Sequence, residues 1–425
     1  MRCHGWRPLV LVALLAGAAC SAVDDGAAVE PSSSVAGPRP DVDLGVDLGV
    51  DLGGATTADV FEPGAGGDGP TPIVVMLHGT AAERSRLHDL ARRVAADGVL
   101  VYVPSWPVID QVQGYPDETD EPYRRQAEVV VCALRHIRRT AAERGGDPDD
   151  LTVFGHSGGA MAGARVAMVS EPPWPGIDCD AGTPHAPQRF IGTAGDYNGR
   201  YQLSPRVPDL YAPFDPTSIE PTNTGLEVRL IHGLADRSIV ASESSEFLAH
   251  VLSFGLDVEL ITTDSGHGEM IDPTTPAGEF VAEQIVSLVT GEPSAFDLDG
   301  EDARMSYDGE CNYEGPSTFE VGRPIDVEFE TSDDPPLRFL AFSIQPDATV
   351  TDEEILAYEG VPLGEPPEFV DAAGLELVDQ PGSETFRLLF LEGDQRWVLA
   401  CVPVEPPEAE TPEVPRLAVV LSPAG

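Results

Sequence analysis

The sequence contains no lysine: all 25 of its basic residues are arginine, and they face 72 aspartates and glutamates. The formal net charge is therefore −47 at pH 7. A surface this acidic repels phosphate backbones and anionic lipid head groups, so the composition argues against nucleic-acid binding. It indicates solubility in a salty or extracellular medium, with bound calcium or a cation-rich partner as the alternative explanation.

Cysteine is also scarce, and no C-x-x-C spacing or Cys/His cluster is present, which argues against a zinc site. Four of the six cysteines lie beyond the N-terminal segment, and an even number suits disulfides in an oxidising compartment. Their grouping along the chain predicts two bridges, Cys132–Cys179 and Cys311–Cys401.

The apolar stretch near the N-terminus, Leu9–Leu15, is too short to cross a bilayer as a permanent helix. Two arginines precede it and small residues follow it, so residues 1–20 predict an export signal. Cys20 directly follows the small residues and resembles the cysteine of a bacterial lipobox, which implies lipidation and membrane attachment. Gly17 departs from that pattern, where leucine is usual, and ordinary signal-peptidase cleavage is the alternative. Both alternatives place the protein outside the cytoplasm.

Composition divides the remaining chain into four parts. Residues 21–56 are rich in Ser, Pro, Gly and Asp, contain the repeat VDLGVDLGVDLG, and predict a disordered acidic tether. Residues 57–291 form the first predicted domain and 292–303 an acidic linker. In residues 304–425 helical periodicity largely disappears and short strand-like runs take over, which predicts a small all-β sandwich.

The first domain alternates short apolar runs with amphipathic stretches. Apolar runs that do not alternate with polar residues are typical of parallel strands buried on both faces. The predicted fold class is α/β, with a doubly wound, mostly parallel sheet. The predicted strands are 73–77, 99–103, 151–154, 189–193, 226–231 and 258–262, and the predicted helices are 87–96, 124–142, 158–169, 243–252 and 278–289.

A G-x-S-x-G motif follows one of these strands and opens a helix of small residues. In Gly155-His156-Ser157-Gly158-Gly159, the strand–turn–helix context predicts Ser157 to be a nucleophile on a strained turn. The backbone N–H of Gly158 would face a developing oxyanion at the positive end of the helix. The loop after the strand 73–77 would supply a second donor, the N–H of Thr80, and the neighbouring His78 is interpreted as structural.

A serine nucleophile needs a base, and in this architecture the base comes last along the chain. His267 follows the last predicted strand and is preferred to His185 and His250. The acid that orients it should lie between serine and histidine in sequence. Asp236, in HGLAD, is preferred to Asp196, while Asp264 is interpreted as a loop cap.

Together the HGT, GHSGG, HGLAD and SGH segments make residues 57–291 resemble the α/β-hydrolase superfamily. Within it the chain is similar to secreted bacterial esterases of the dienelactone-hydrolase and feruloyl-esterase branches. This resemblance implies acyl transfer through a covalent acyl-enzyme, with neither a metal nor an organic cofactor. The segments around Cys311 and Cys401 resemble cupredoxin-like modules. A copper site needs histidine ligands, and residues 304–425 contain none, so electron transfer is excluded there.

Aromatic residues in two inserted loops are candidates for the substrate pocket, or else they only pack the loops against the body. They are Trp106, Tyr197, Tyr201 and Tyr211. The sequence thus predicts an exported serine hydrolase that cleaves a small-molecule or polymeric ester. A peptidase or acyltransferase on the same fold, or a non-catalytic envelope binding protein, are the alternatives. Oligomeric state and the role of the C-terminal region stay open.

Overall fold

A twelve-stranded mixed sheet forms the centre of the computed structural model. All described residues belong to one compact unit, Gly37–Gly425. The structure describes residues 42–51, 55–64, 69–80, 82–106, 121–174, 176–177, 179, 182–198, 212–296, 298–307, 310–330, 337–345, 348–356, 370–378, 383–392, 395–403 and 416–424. The predicted signal segment with Cys20, and Tyr201 and Tyr211, lie outside the described residues.

The first eight strands lie in the sheet in the order β1-β2-β4-β3-β5-β6-β7-β8. The pairs β1–β2 and β2–β4 are antiparallel and the remaining pairs are parallel. The bounds are β1 Val42–Asp51, β2 Ala55–Phe61, β3 Thr71–Leu77, β4 Leu100–Pro104, β5 Gly146–His156, β6 Arg189–Thr193, β7 Glu227–Gly233 and β8 Asp257–Thr263.

Helices cover both faces of this sheet because successive strand residues point to opposite sides and both sides are apolar. In β3, Ile73 and Val75 join one core with α2 and α3, while Val74 and Met76 join the other with α1. This arrangement fits the α/β-hydrolase fold that the sequence resemblance implies. The helices are α1 His88–Ala96, α2 Glu121–Thr140, α3 Gly158–Ala167, α4 Ser242–Ser253 and α5 Pro276–Thr290.

The VDLG repeat forms β1, so the structure differs from the predicted tether over residues 42–51 and 55–56. The repeat alternates apolar and small or acidic residues with a period of two, which is the pattern of a half-buried strand. Leu48 is fully buried, whereas Leu44 is exposed beside a bulge at Gly45 (φ 68°). The Gly45 N–H donates to buried Asp59 on β2 over 2.7 Å, which fixes the bulge.

The C-terminal region forms two sheets, and the first continues the sheet of β1 to β8. Beyond β8 the sheet runs on as β15-β12-β9-β10, and β15 pairs parallel with β8. The other sheet has the order β11-β17-β16-β13-β14. The bounds are β9 Glu301–Tyr307, β10 Cys311–Glu314, β11 Thr318–Phe319, β12 Pro324–Glu330, β13 Leu337–Ile344, α6 Asp352–Leu356, β14 Val370–Val378, β15 Ser383–Leu389, β16 Arg396–Pro403 and β17 Arg416–Pro423.

Two disulfides are present, with the pairing expected from the sequence. Cys132 on α2 is bonded to Cys179, and Cys311 on β10 is bonded to Cys401 on β16. The second bridge joins the last strand of the twelve-stranded sheet to the five-stranded sheet. Within the described part of the chain, no helix is long and apolar enough to cross a membrane.

Candidate active site

Ser157 lies on a strained turn between β5 and α3. Its φ of 56° and ψ of −126° fall in a region that non-glycine residues rarely adopt. The surrounding glycines permit the close approach that this turn requires. A methyl group at Gly159 would overlap the carbonyl oxygen of Leu77, and one at Gly155 would lie 2.5 Å from the Cα of Ala160. The Ser157 N–H donates to Thr193 O over 2.9 Å, which ties the turn to the end of β6.

His267 and Asp236 are in direct contact on the loops that follow β8 and β7. Nδ1 of His267 lies 2.6 Å from Oδ2 of Asp236. Because a carboxylate only accepts, Nδ1 carries the proton and Nε2 presents a lone pair. Oδ1 of Asp236 accepts from the N–H groups of Ser238 (2.7 Å) and Ile239 (2.9 Å). The carboxylate is therefore held in one orientation from two sides.

His232, in the same HGLAD segment, supports this carboxylate from beneath. It is fully buried, its Nδ1 lies 2.7 Å from the Ser244 hydroxyl, and its Nε2 donates to Ile239 O over 3.0 Å. Nε2 also lies 3.6 Å from Oδ2 of Asp236. Burial alone would raise the pKa of Asp236, but the contacts with His232 and His267 outweigh burial and lower the pKa below its usual range. Asp236 is thus ionised at neutral pH.

His156, the residue before Ser157, contacts the His267 ring. The two ring centres are 4.7 Å apart, and Nδ1 of His156 lies 3.2 Å from the Thr193 hydroxyl. Since that hydroxyl donates to Gly155 O, it accepts from His156, which fixes the tautomer. Burial and, secondarily, the neighbouring His267 lower the pKa of His156 to about 3. The ring is therefore neutral across the physiological range.

Ser157 and His267 line the same cleft, which has a volume of about 700 Å³. Thr80 lies on its wall, and Gly79 lies directly against the serine: a Cβ there would be 3.1 Å from Ser157 Cβ and 3.4 Å from Oγ. Gly158 is the first residue of α3, where backbone N–H groups have no acceptor within the helix. The positive end of the α3 dipole therefore favours negative charge beside Ser157.

Two of the aromatic candidates lie away from the cleft. Trp106 and Tyr197, for which the sequence left pocket lining and loop packing as alternatives, are buried in the core and absent from the cleft lining. The Trp106 indole N–H donates to His78 O (3.2 Å), and the Tyr197 ring stacks on Phe247 at 4.4 Å. Their large apolar surfaces are covered by packing, which agrees with the second alternative. His78 is buried with Nδ1 2.9 Å from Gly79 O, and it also contributes to the lining of the cleft.

Asp264, interpreted from the sequence as a loop cap, also binds a distant segment. Its carboxylate has a hydrogen bond from its own backbone N–H and accepts from the backbone N–H groups of Leu391 and Glu392, just after β15. Sequence reasoning also gave no role to His232 or His156, although both stand inside recognised motifs. Among the residues that the structure describes, no group of three His, Cys, Asp or Glu side chains is arranged to hold a metal ion.

No protein-family model matches the chain. Solved structures similar to it include an esterase from the planctomycete Thermogutta terrifontis with propionate bound (15% identity, TM-score 0.47, 60% of this chain and 94% of that one). The apo form of esterase 2 from that organism matches at 15% identity and TM-score 0.49, over 60% and 96%. A truncated carbohydrate esterase from gut microbiota matches at 15% and 0.47, over 60% and 97%.

Proposed function

We propose that this protein is a serine hydrolase that cleaves carboxylic esters through an acyl-enzyme, with Ser157 as nucleophile, His267 as general base and Asp236 as the orienting acid. One observation carries the proposal: the cleft contains both a serine on a strained strand-to-helix turn and an imidazole whose Nδ1 is 2.6 Å from a buried carboxylate. The strained turn presents the Ser157 hydroxyl to the cleft. The Asp236 carboxylate holds the proton on Nδ1 of His267, so Nε2 is free to accept the proton of the serine hydroxyl.

The reaction follows from these roles. Ser157 Oγ attacks the ester carbonyl carbon while its proton passes to Nε2 of His267. The oxyanion of the tetrahedral intermediate accepts from the backbone N–H groups of Gly158 and Thr80. Collapse breaks the bond to the alkoxide, which leaves with the proton from His267. Water then attacks the acyl-enzyme by the same route, so the net products are the acid and the alcohol.

The first test is labelling with a fluorophosphonate probe. The wild-type protein should be labelled, Ser157→Ala should not, and the control Ser253→Ala, at an exposed serine at the end of α4, should be labelled like wild type. An unlabelled wild-type protein with no activity on any substrate would support a non-catalytic binding protein instead.

The second test separates ester from amide chemistry. Nitrophenyl esters of increasing chain length, with feruloyl and polyester substrates, should be cleaved by the wild-type protein. Cleavage of peptide amides without cleavage of any ester would instead favour a peptidase, and transfer to an added alcohol in preference to water would favour an acyltransferase.

We further infer that the protein is exported and attached to a membrane through a lipid on Cys20. The two disulfides support an oxidising compartment. Cys20→Ala should move the protein from the membrane fraction to the soluble fraction, and unchanged partitioning would argue for cleavage without lipidation.

A further inference from the structure

A carboxylate three residues before His267 binds the C-terminal region. Asp264 is the first residue after β8, and it is buried. Its Oδ1 accepts from the Leu391 N–H at 2.9 Å and its Oδ2 from the Glu392 N–H at 2.8 Å. The loop that carries the proposed general base is therefore bonded to a segment more than 120 residues further along the chain.

The segment to which Asp264 is hydrogen-bonded is fixed by strand pairing and by core packing. β15 pairs in parallel with β8, with Arg387, Leu388 and Leu389 opposite residues 261–263. The Thr262 hydroxyl donates to Arg387 O over 3.1 Å. Leu389 and Leu391 are buried in the core that contains Ile261 and α5. The partner of Asp264 is thus a strand end fixed by a ladder and a core, which is the kind of support that holds a site precisely.

The same loop is held from its other side by the loop of Asp236. The Ala235 N–H donates to Ser265 O over 3.2 Å, and the Leu234 N–H donates to Thr263 O over 2.6 Å. Hydrogen bonds from the Asp236 loop on one side and from the C-terminal region on the other therefore hold consecutive residues of one short loop. Asp236 sets the orientation of the imidazole, while both sets of hydrogen bonds position the backbone that carries it.

The carboxylate of Asp264 occupies this place at a cost. Burial raises its pKa to about 6, although hydrogen bonds from the backbone N–H groups of Leu391, Glu392 and Asp264 itself act in the opposite direction. Among the described residues no opposite charge contacts this carboxylate, so its burial costs free energy. Such costs are commonly retained where a site needs a fixed geometry.

We propose that Asp264 is a positioning residue for His267, and that the C-terminal region acts through it as part of the catalytic machinery. The proposal rests on the proposed function. A displacement of about 1 Å in a catalytic group can lower the rate about 100-fold. Loss of the Asp264 hydrogen bonds should therefore lower kcat more than it changes KM.

The experiment removes the bond from the donor side, at an exposed residue of the full chain. Glu392→Pro deletes one N–H that Asp264 accepts, and Glu392→Ala keeps that N–H while removing the same side chain. We expect Glu392→Pro to lower kcat about 10-fold with KM within twofold of wild type, and Glu392→Ala to stay within twofold for both. Amide hydrogen exchange of residues 265–268 should accelerate in the proline variant alone.

An acceptor-side pair gives an independent check. Asp264→Asn should lower kcat about 10-fold, whereas Thr290→Val, which removes the hydrogen bond from the Thr290 hydroxyl to Val286 O at the end of α5, should not. Folded Glu392→Pro and Asp264→Asn variants with wild-type kcat and exchange would overturn the proposal. A wild-type protein without ester hydrolysis or fluorophosphonate labelling would instead overturn the proposed function. Amide hydrogen exchange of residues 265–268 would still show whether the Asp264 hydrogen bonds hold the loop.

Discussion

The carboxylate of Asp236 lies between the imidazole of His267 and the backbone N–H groups of Ser238 and Ile239. The other candidate from the sequence, Asp196, is buried in the loop after β6, whereas the carboxylate bonded to His267 is that of Asp236. The two aspartates are therefore a natural pair for mutagenesis.

Asp236→Asn should lower kcat for ester hydrolysis by a factor of about 10⁴, because the amide favours the wrong tautomer of the imidazole. Steady-state kinetics on a nitrophenyl ester measure this loss. Asp196→Asn should keep kcat within about tenfold of wild type, with thermal unfolding used to account for any loss of folded protein. Equal losses in the two variants would contradict the assignment of Asp236.

Protonation of His156 in the unfolded state should lower the free energy of unfolding as the pH falls. Its pKa is about 3 in the fold, against about 6.5 in an unfolded chain, so between these values only the unfolded state takes up the proton. This group alone should lower the free energy of unfolding by about 2 kcal/mol between pH 7 and pH 5. Urea unfolding of wild type and His156→Gln at both pH values measures the difference.

The range above pH 7 serves as the reference for wild type and His156→Gln. Above pH 7 both states hold His156 neutral, so the two stability curves should run parallel there and converge only on acidification. Parallel curves down to pH 5 would show that His156 protonates as readily in the fold as outside it.

Gly159 should not tolerate a side chain. A methyl group at this position would overlap the Leu77 carbonyl oxygen, which belongs to the backbone of β3 and has no room to move. Gly159→Ala should therefore lower the free energy of unfolding by about 3 kcal/mol and reduce ester hydrolysis, because the turn at Ser157 would shift. At exposed Gly225 a methyl group meets nothing within 4 Å, so Gly225→Ala should change stability by less than about 0.5 kcal/mol.

The Cys311–Cys401 bridge should contribute much of the stability of the C-terminal region. It closes a segment with a sequence separation of 90 residues and joins the two sheets. Loss of such a constraint costs about 4 to 5 kcal/mol on the chain-entropy view. Denaturant unfolding of the double variant Cys311→Ser/Cys401→Ser should show this decrease. A difference below about 1 kcal/mol would mean that the sheets are held together without the bridge.

Local sequence pattern was a good guide wherever the chain obeys one period. The apolar run at 189–193 coincides with β6, and the helices beginning at His88 and Gly158 start and end within two residues of their predicted bounds. The contact between Asp236 and His267 could also be predicted from the sequence. Both residues follow parallel strands, and the loops that follow parallel strands lie at the same edge of the sheet.

What the sequence did not reveal depends on contacts between distant segments. β15 and β8 are separated by more than a hundred residues, and no local pattern indicates that they pair. The VDLG repeat was misjudged because its composition suggests a spacer, although its period of two predicts a strand. For Trp106 and Tyr197 the sequence left pocket lining and core packing as alternatives, because only tertiary contacts distinguish the two, and both residues are buried in the core.

The parallel pairing of β15 with β8 also decides where this protein could be cut. A fragment ending at residue 291 would keep the cleft residues but leave the hydrogen-bonding edge of β8 bare, beside apolar residues such as Ile261. Uncovered strand edges recruit other chains, so such a fragment would favour self-association over a clean monomer. Expression designs that treat the C-terminal region as a removable appendage would expose the interior of a continuous sheet.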